Sequence, residues 1–195
     1  MDLGLTGKIA LVTGGSKGIG KGIARSLSAE GCRVALCART RSDLEAAAAE
    51  ITGETGNEVG VFTADLTRSE DAAAFVEGAV GQFGRVDILV NNAGAAPGGV
   101  IETLTEDDWS ESLQLKFMGY VRCTKAALPH MQRQGKGRIV NLIGNDGIKH
   151  SYWEIAPGAA NAAGQNFTMS MAGRYGKDNI SFVAVNPGPV RTERW

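Results

Sequence analysis

The feature that most constrains this chain is a regular alternation of short apolar runs with helical patterns. The runs are Ile9-Ala10-Leu11-Val12, Val34-Ala35-Leu36-Cys37, Val59-Gly60-Val61-Phe62, Ile88-Leu89-Val90, Ile139-Val140-Asn141-Leu142 and Phe182-Val183-Ala184-Val185. Several are apolar without a break, as strands covered on both faces must be. Helical patterns lie between them, near 18–30, 41–53, 69–83, 105–134 and 157–177. Alternation of this kind predicts a parallel sheet in a doubly wound α/β fold, with right-handed crossovers. No Pro- or Ser-rich linker and no repeat interrupts it, so residues 1–195 read as a single domain. The alanines at 46–49 and 72–74 are strong helix formers and need no further meaning.

Composition narrows the partners. With 43% hydrophobic and 21% charged residues, the chain reads as an ordinary globular protein with a sizeable core. A net charge of -1 gives no general attraction to nucleic acid or to an anionic membrane, and neither is expected as a partner. Cys32, Cys37 and Cys123 have no ligand spacing, and their odd number argues against a disulfide framework. They read as small core residues of a reducing compartment. No metal site is expected. The segment from Met1 to Lys8 lacks the apolar stretch of a signal peptide, and no run is long enough to span a bilayer, so a cytoplasmic setting is expected.

Thr13-Gly14-Gly15-Ser16-Lys17-Gly18-Ile19-Gly20 follows the first strand and opens the first helix. Glycines let the backbone approach a pyrophosphate closely, and a helix N-terminus offers free N–H groups to the anion. Strand, turn and helix fall in the order a dinucleotide site needs. The second strand ends in Cys37-Ala38-Arg39-Thr40-Arg41, with no acid to accept from a ribose 2′-hydroxyl. A guanidinium at Arg39 suits a 2′-phosphate, and Lys17 adds a second cation on that side. The predicted cofactor is therefore NADP(H). The other reading leaves both cations as solvated surface charges.

Together these features resemble the short-chain dehydrogenase/reductase family over nearly the whole chain. Thr13 to Gly20, with Gly14, Ser16, Lys17, Gly18, Ile19 and Gly20 at the phosphates, is similar to the family's glycine turn. Asp65-Leu66 resembles its adenine-contacting pair, and Asn91-Asn92-Ala93-Gly94 its motif after the fourth strand. Asn186-Pro187-Gly188-Pro189-Val190-Arg191-Thr192 resembles the Pro-Gly segment after the sixth strand, which implies that Pro187, Gly188, Val190 and Thr192 line the nicotinamide end. The resemblance implies a Rossmann sheet of strand order 3-2-1-4-5-6. It also implies hydride transfer between nicotinamide and a small carbonyl or alcohol substrate.

The family works with a tyrosine acid/base, a lysine that lowers the phenol pKa, a serine on the substrate oxygen and an asparagine that holds a water. Counted from matched anchors, these positions fall on Pro157, Asn161, Gly144 and Lys116, so all four are changed. Asparagine and lysine have exchanged places, which keeps a cation beside the ribose if Lys116 and Asn161 face each other. Independent drift on two helix faces is the other reading. The polar, aromatic segment from Gly144 to Pro157 lies beyond the end of a strand, where open α/β sheets place ligands. Within it Tyr152 is the first candidate for a replacement acid, with Asn145, Asp146, Lys149 and His150 nearby, though loops are polar anyway. Tyr152 and Lys116 are thus the candidate catalytic residues.

The sequence ends at Trp195, just after the Pro-Gly segment. Family members usually continue into a substrate-covering segment and a seventh strand, so the resemblance implies either a domain that is short at its C-terminus and lacks both, or a tail that continues beyond Trp195. It also implies a homodimer through the helices near 105–134 and 157–177. Two functions stay open: an NADP(H)-dependent oxidoreductase with a rearranged site, and a catalytically silent NADP(H)-binding sensor or regulatory protein.

Overall fold

The computed structural model describes residues 1–94 and 97–192; the chain end at Trp195 lies outside the described residues. Six parallel strands form one sheet in the order β3-β2-β1-β4-β5-β6. They are β1 (Ile9–Thr13), β2 (Arg33–Ala38), β3 (Val59–Thr63), β4 (Ile88–Asn91), β5 (Gly137–Leu142) and β6 (Ile180–Val185). The helices between them are α1 (Gly18–Ala29), α2 (Arg41–Thr55), α3 (Ser69–Phe83), α4 (Glu106–Ser112), α5 (Met118–Gln134) and α6 (Ile155–Tyr175). The six apolar runs each became a strand, and the order is the one expected.

Alternation along each strand divides the core between two faces. Ile9 and Leu11 point into a cluster with Phe75, Val76 and Met131, under α3 and α5. Ala10 and Val12 point the other way, to Ala24, Leu44 and Ile51 of α1 and α2. All five residues of β1 are buried, which is why the run reads as apolar without a break. Each fully buried leucine or isoleucine stabilises the fold by roughly 1.5–3 kcal/mol. β6 is one edge of the sheet, with Val183 and Val185 half exposed.

One element departs from expectation. The single helix predicted near 105–134 is interrupted by a π turn, Leu113–Phe117, between α4 and α5. Its start is well specified, because Thr105 and Asp108 form a reciprocal capping box. Arg122 of α5 braces the π turn, donating to the Gln114 carbonyl at 2.9 Å, to Gln114 Oε1 at 2.6 Å and to the Leu66 carbonyl at 3.1 Å. Lys116 sits inside this turn. Wide turns of this type occur frequently at functional sites.

Candidate active site

The sheet order reverses between β1 and β4, so the segments leaving these strands diverge and open a cleft at their carboxyl ends. The turn after β1 is braced against the turn after β4. Thr13 Oγ1 accepts from the backbone N–H of Asn92 at 2.8 Å and of Ala93 at 2.9 Å. Asn92 Nδ2 donates back to the Thr13 carbonyl at 2.9 Å and to that of Gly14 at 3.3 Å. The Asn92 side chain therefore holds the glycine turn in shape. Gly20 is required by the same crowding, since a Cβ there would collide with the Gly14 carbonyl oxygen and lie 2.5 Å from Asn92 Nδ2.

Two cavities meet at this brace and share Gly14, Lys17, Ala93 and Gly94. The outer one, of about 360 Å³, is lined by Ser16 and Lys17 of the turn, by Ala38, Arg39 and Thr40 at the end of β2, and by Asp43 of α2. Ala64, Leu66 and Leu115 close its far side. Lys17 Nζ lies 2.9 Å from Asp43 Oδ2. Of the pair expected to touch the adenine, Leu66 lines this cavity and Asp65 does not. The Asp65 carboxylate accepts from Thr67 N and Thr67 Oγ1, and these bonds hold its pKa below the usual range.

The inner cavity, of about 1020 Å³, runs from Gly18, Ile19, Gly20 and Asn92 to Pro187, Gly188, Val190 and Thr192. All four changed family positions line it: Lys116, Gly144, Pro157 and Asn161. Lys116 lies along Gly94, its Cγ 3.2 Å from where a glycine-94 Cβ would stand. Asn161 lies against Gly144, its Nδ2 2.7 Å from the missing Cβ there. Asn161 is 1% exposed, and neither its Oδ1 nor its Nδ2 has a hydrogen-bond partner. Lys116 and Asn161 therefore share one cavity, as an exchange requires, without a hydrogen bond between them.

Tyr152 does not reach this cavity. It is 70% exposed, its ring packs on Trp153 at 5.3 Å between centroids, and it is not among the lining residues. The loop is fixed here by the Trp153 carbonyl, which accepts from Gly99 N at 2.7 Å. Neither other tyrosine lines either of these two cavities. Tyr120 is buried and donates its phenol to the Leu142 carbonyl at 2.7 Å, and burial raises its pKa. Tyr175 packs on Phe182. The loop instead presents Asn145, Asp146, Lys149, Ser151 and Glu154 to the cavity. Sequence reading missed Ser151 and Glu154, along with Asp43 of the outer cavity. Glu154 directly precedes α6, and no spacing rule marks that position as functional. Among the described residues no group of three His, Cys, Asp or Glu could hold a metal ion, and no helix is long and apolar enough to cross a membrane.

A six-stranded parallel sheet with a glycine-rich turn at its switch point defines a Rossmann-type nucleotide-binding protein. Residues 8–195 match the family model described as short chain dehydrogenase. A Rhizobium meliloti protein named "Probable galactose dehydrogenase" is 35% identical over 184 residues, covering 94% of this chain and 72% of that protein. The 3-oxoacyl-[acyl-carrier-protein] reductase of Synechocystis is 32% identical over 190 residues, covering 97% and 76%. Among solved structures, L-sorbose reductase of Gluconobacter frateurii, complexed with NADPH and L-sorbose, superposes with a TM-score of 0.96 at 33% identity. It covers 100% of this chain and 74% of that one. The chain belongs to the short-chain dehydrogenase/reductase family.

Proposed function

We propose that this chain is an NADP(H)-dependent oxidoreductase that transfers a hydride between nicotinamide and the carbonyl or alcohol group of a small molecule. The observation that carries the reading is the continuous path of the two cavities, from Arg39 and Lys17 past the glycine turn to Pro187 and Lys116. The residues present fit the cofactor. Two cations face the place of a 2′-phosphate, and the N-terminus of α1 faces that of the pyrophosphate. Gly14, Ser16, Lys17, Gly18, Ile19 and Gly20 hold the phosphates in this reading. Leu66, beside Asp65, borders the adenine. Asn92, Ala93 and Gly94 shape the middle of the site, and Pro187, Gly188, Val190 and Thr192 border the nicotinamide. The bound cofactor supplies the hydride. Lys116 supplies the cation that stabilises or protonates the substrate oxygen. The exposed Tyr152 has no part in this reading.

We take residues 1–195 as one NADP-binding unit that works in the cytoplasm and pairs with a second copy through the helices near 105–134 and 157–177, where Met169 stands exposed. A second reading, a silent NADP(H)-binding sensor, is favoured by one observation: among the described residues no phenol lines the cavities, and Gly144 and Pro157 bring no ionisable group.

An NADPH titration followed by an absorbance assay over a panel of carbonyl compounds separates the two. Binding with oxidation of NADPH, reduced at least tenfold in Lys116→Met, is the expected result. Binding without oxidation of any compound selects the sensor, and no binding removes both.

A further inference from the structure

We infer that Asp43 sets the cofactor preference of the outer cavity by competing with a 2′-phosphate for Lys17, an inference that rests on the NADP(H) reading above. Asp43 Oδ2 lies 2.9 Å from Lys17 Nζ, and both side chains line the cavity that Arg39 also lines. The carboxylate is the third residue of α2, in its first turn. A negative charge is favoured at a helix N-terminus, so α2 holds this carboxylate in place. It thereby puts one negative charge beside the cation that the phosphate is to use.

The two dinucleotides meet this charge differently. A 2′-phosphate brings almost two further negative charges and must share or displace the Asp43 partner of Lys17. A 2′-hydroxyl brings none, and a carboxylate can accept its proton in a hydrogen bond. Arg39 thus favours NADP(H), while Asp43 works for NAD(H), and the preference is narrower than Arg39 and Lys17 alone would give. The end of β2 carries no acid of the kind that accepts from a 2′-hydroxyl; the fold brings one to the same cavity from the first turn of the next helix. Lys17 and Asp43 side chains are 59% and 33% exposed, so solvent and salt screen the effect to a modest size.

The experiment is a fluorescence titration of the parent chain, Asp43→Asn, Lys17→Met and the double variant with NADPH and with NADH, at low and at moderate salt. Asp43→Asn is expected to raise the preference for NADPH about three- to tenfold, through tighter NADPH binding, and less so at higher salt. In the Lys17→Met background the gain should shrink, because there is no ammonium left to release. Asp43→Ser, which also suits a first helical turn, serves if Asn disturbs α2. An unchanged or lower preference in Asp43→Asn and Asp43→Ser overturns the inference, and so does an equal gain in both backgrounds. NADPH binding by the parent chain with such a result leaves the NADP(H) reading standing; a parent chain that binds no NADPH removes both.

Discussion

Gly144 holds φ at 124°, a region that L side chains rarely adopt, and its missing Cβ would stand 2.7 Å from Asn161 Nδ2. Asn161 therefore fills the space that a side chain at 144 would need, and each of the two positions constrains the other. A serine returned to 144 alone meets both the backbone penalty and the amide. We expect Gly144→Ser to lower stability by about 1–3 kcal/mol. The check is the denaturant midpoint at unchanged slope. Adding Asn161→Ala should recover the steric part and leave the backbone part, so the double variant will be less unstable than the sum of the singles predicts. A midpoint unaffected by Gly144→Ser would refute this packing. The unpartnered Asn161 amide points the same way. A buried amide with no partner costs on the order of 1–3 kcal/mol for each unsatisfied group, a cost that a bound ligand or water can offset.

At the scale of elements, the π turn at Leu113–Phe117 is what brings Lys116 beside Gly94. Arg122 holds that turn by hydrogen bonds to Gln114 and Leu66 and by a 3.2 Å bond to Ser69 Oγ. Arg122→Met keeps the apolar stem and removes these donors. It should destabilise the protein by roughly 1 kcal/mol, below the usual range for charged hydrogen bonds because the site is partly exposed. The same variant should speed amide exchange across 113–117 more than across β1 or β4, read by hydrogen-exchange mass spectrometry. Uniform acceleration along the chain would contradict the bracing role. This turn also marks where sequence reading stops. The six strands were legible because burial leaves apolar runs, unbroken in Ile9 to Val12, whereas the sheet order was implied only by the family resemblance that the motifs carry. The glycine turn was legible because close approach at Gly20 admits no other residue. The π turn has no such signature, since a one-residue widening leaves the helical pattern of 105–134 almost intact. Tyr152 was a reasonable candidate by distance along the chain. Its exposure is set by how the loop folds, and the neighbouring Trp153 is tied to Gly99, a contact between residues far apart in sequence.

The molecule as a whole carries its thiols inside the core, where they tie stability to alkaline pH. Cys37 and Cys123 are both fully buried and belong to the same cluster. Burial pushes Cys123 up to about 12 and raises Cys37 well above an ordinary thiol, with the neighbouring Cys123 adding to the shift. The unfolded chain releases these protons near pH 8.5, whereas the folded chain keeps them. A pKa raised by folding gives a contribution that is complete below the unfolded pKa and is lost as pH climbs towards the folded one. The free energy of unfolding should therefore fall above about pH 8.5, by up to roughly 1.4 kcal/mol per pH unit for each thiol. Urea titrations of the parent chain and of Cys37→Ala/Cys123→Ala between pH 7 and pH 10 measure it. The double variant should be less stable at pH 7, from lost packing, yet show a flatter decline above pH 8.5. Parallel curves would mean that the thiols do not control the slope. Cys37 also lines the outer cavity, and its carbonyl accepts from Gly15 N in the glycine turn at 3.2 Å. The strand end that positions the turn is therefore built on a thiol that must stay protonated. Because the folded chain keeps these protons up to about pH 10, the loss of stability arises in the unfolded chain, and the glycine turn should hold its shape: NADPH affinity of the folded protein, read by fluorescence titration from about pH 8.5 to about pH 10, should not follow the decline in stability.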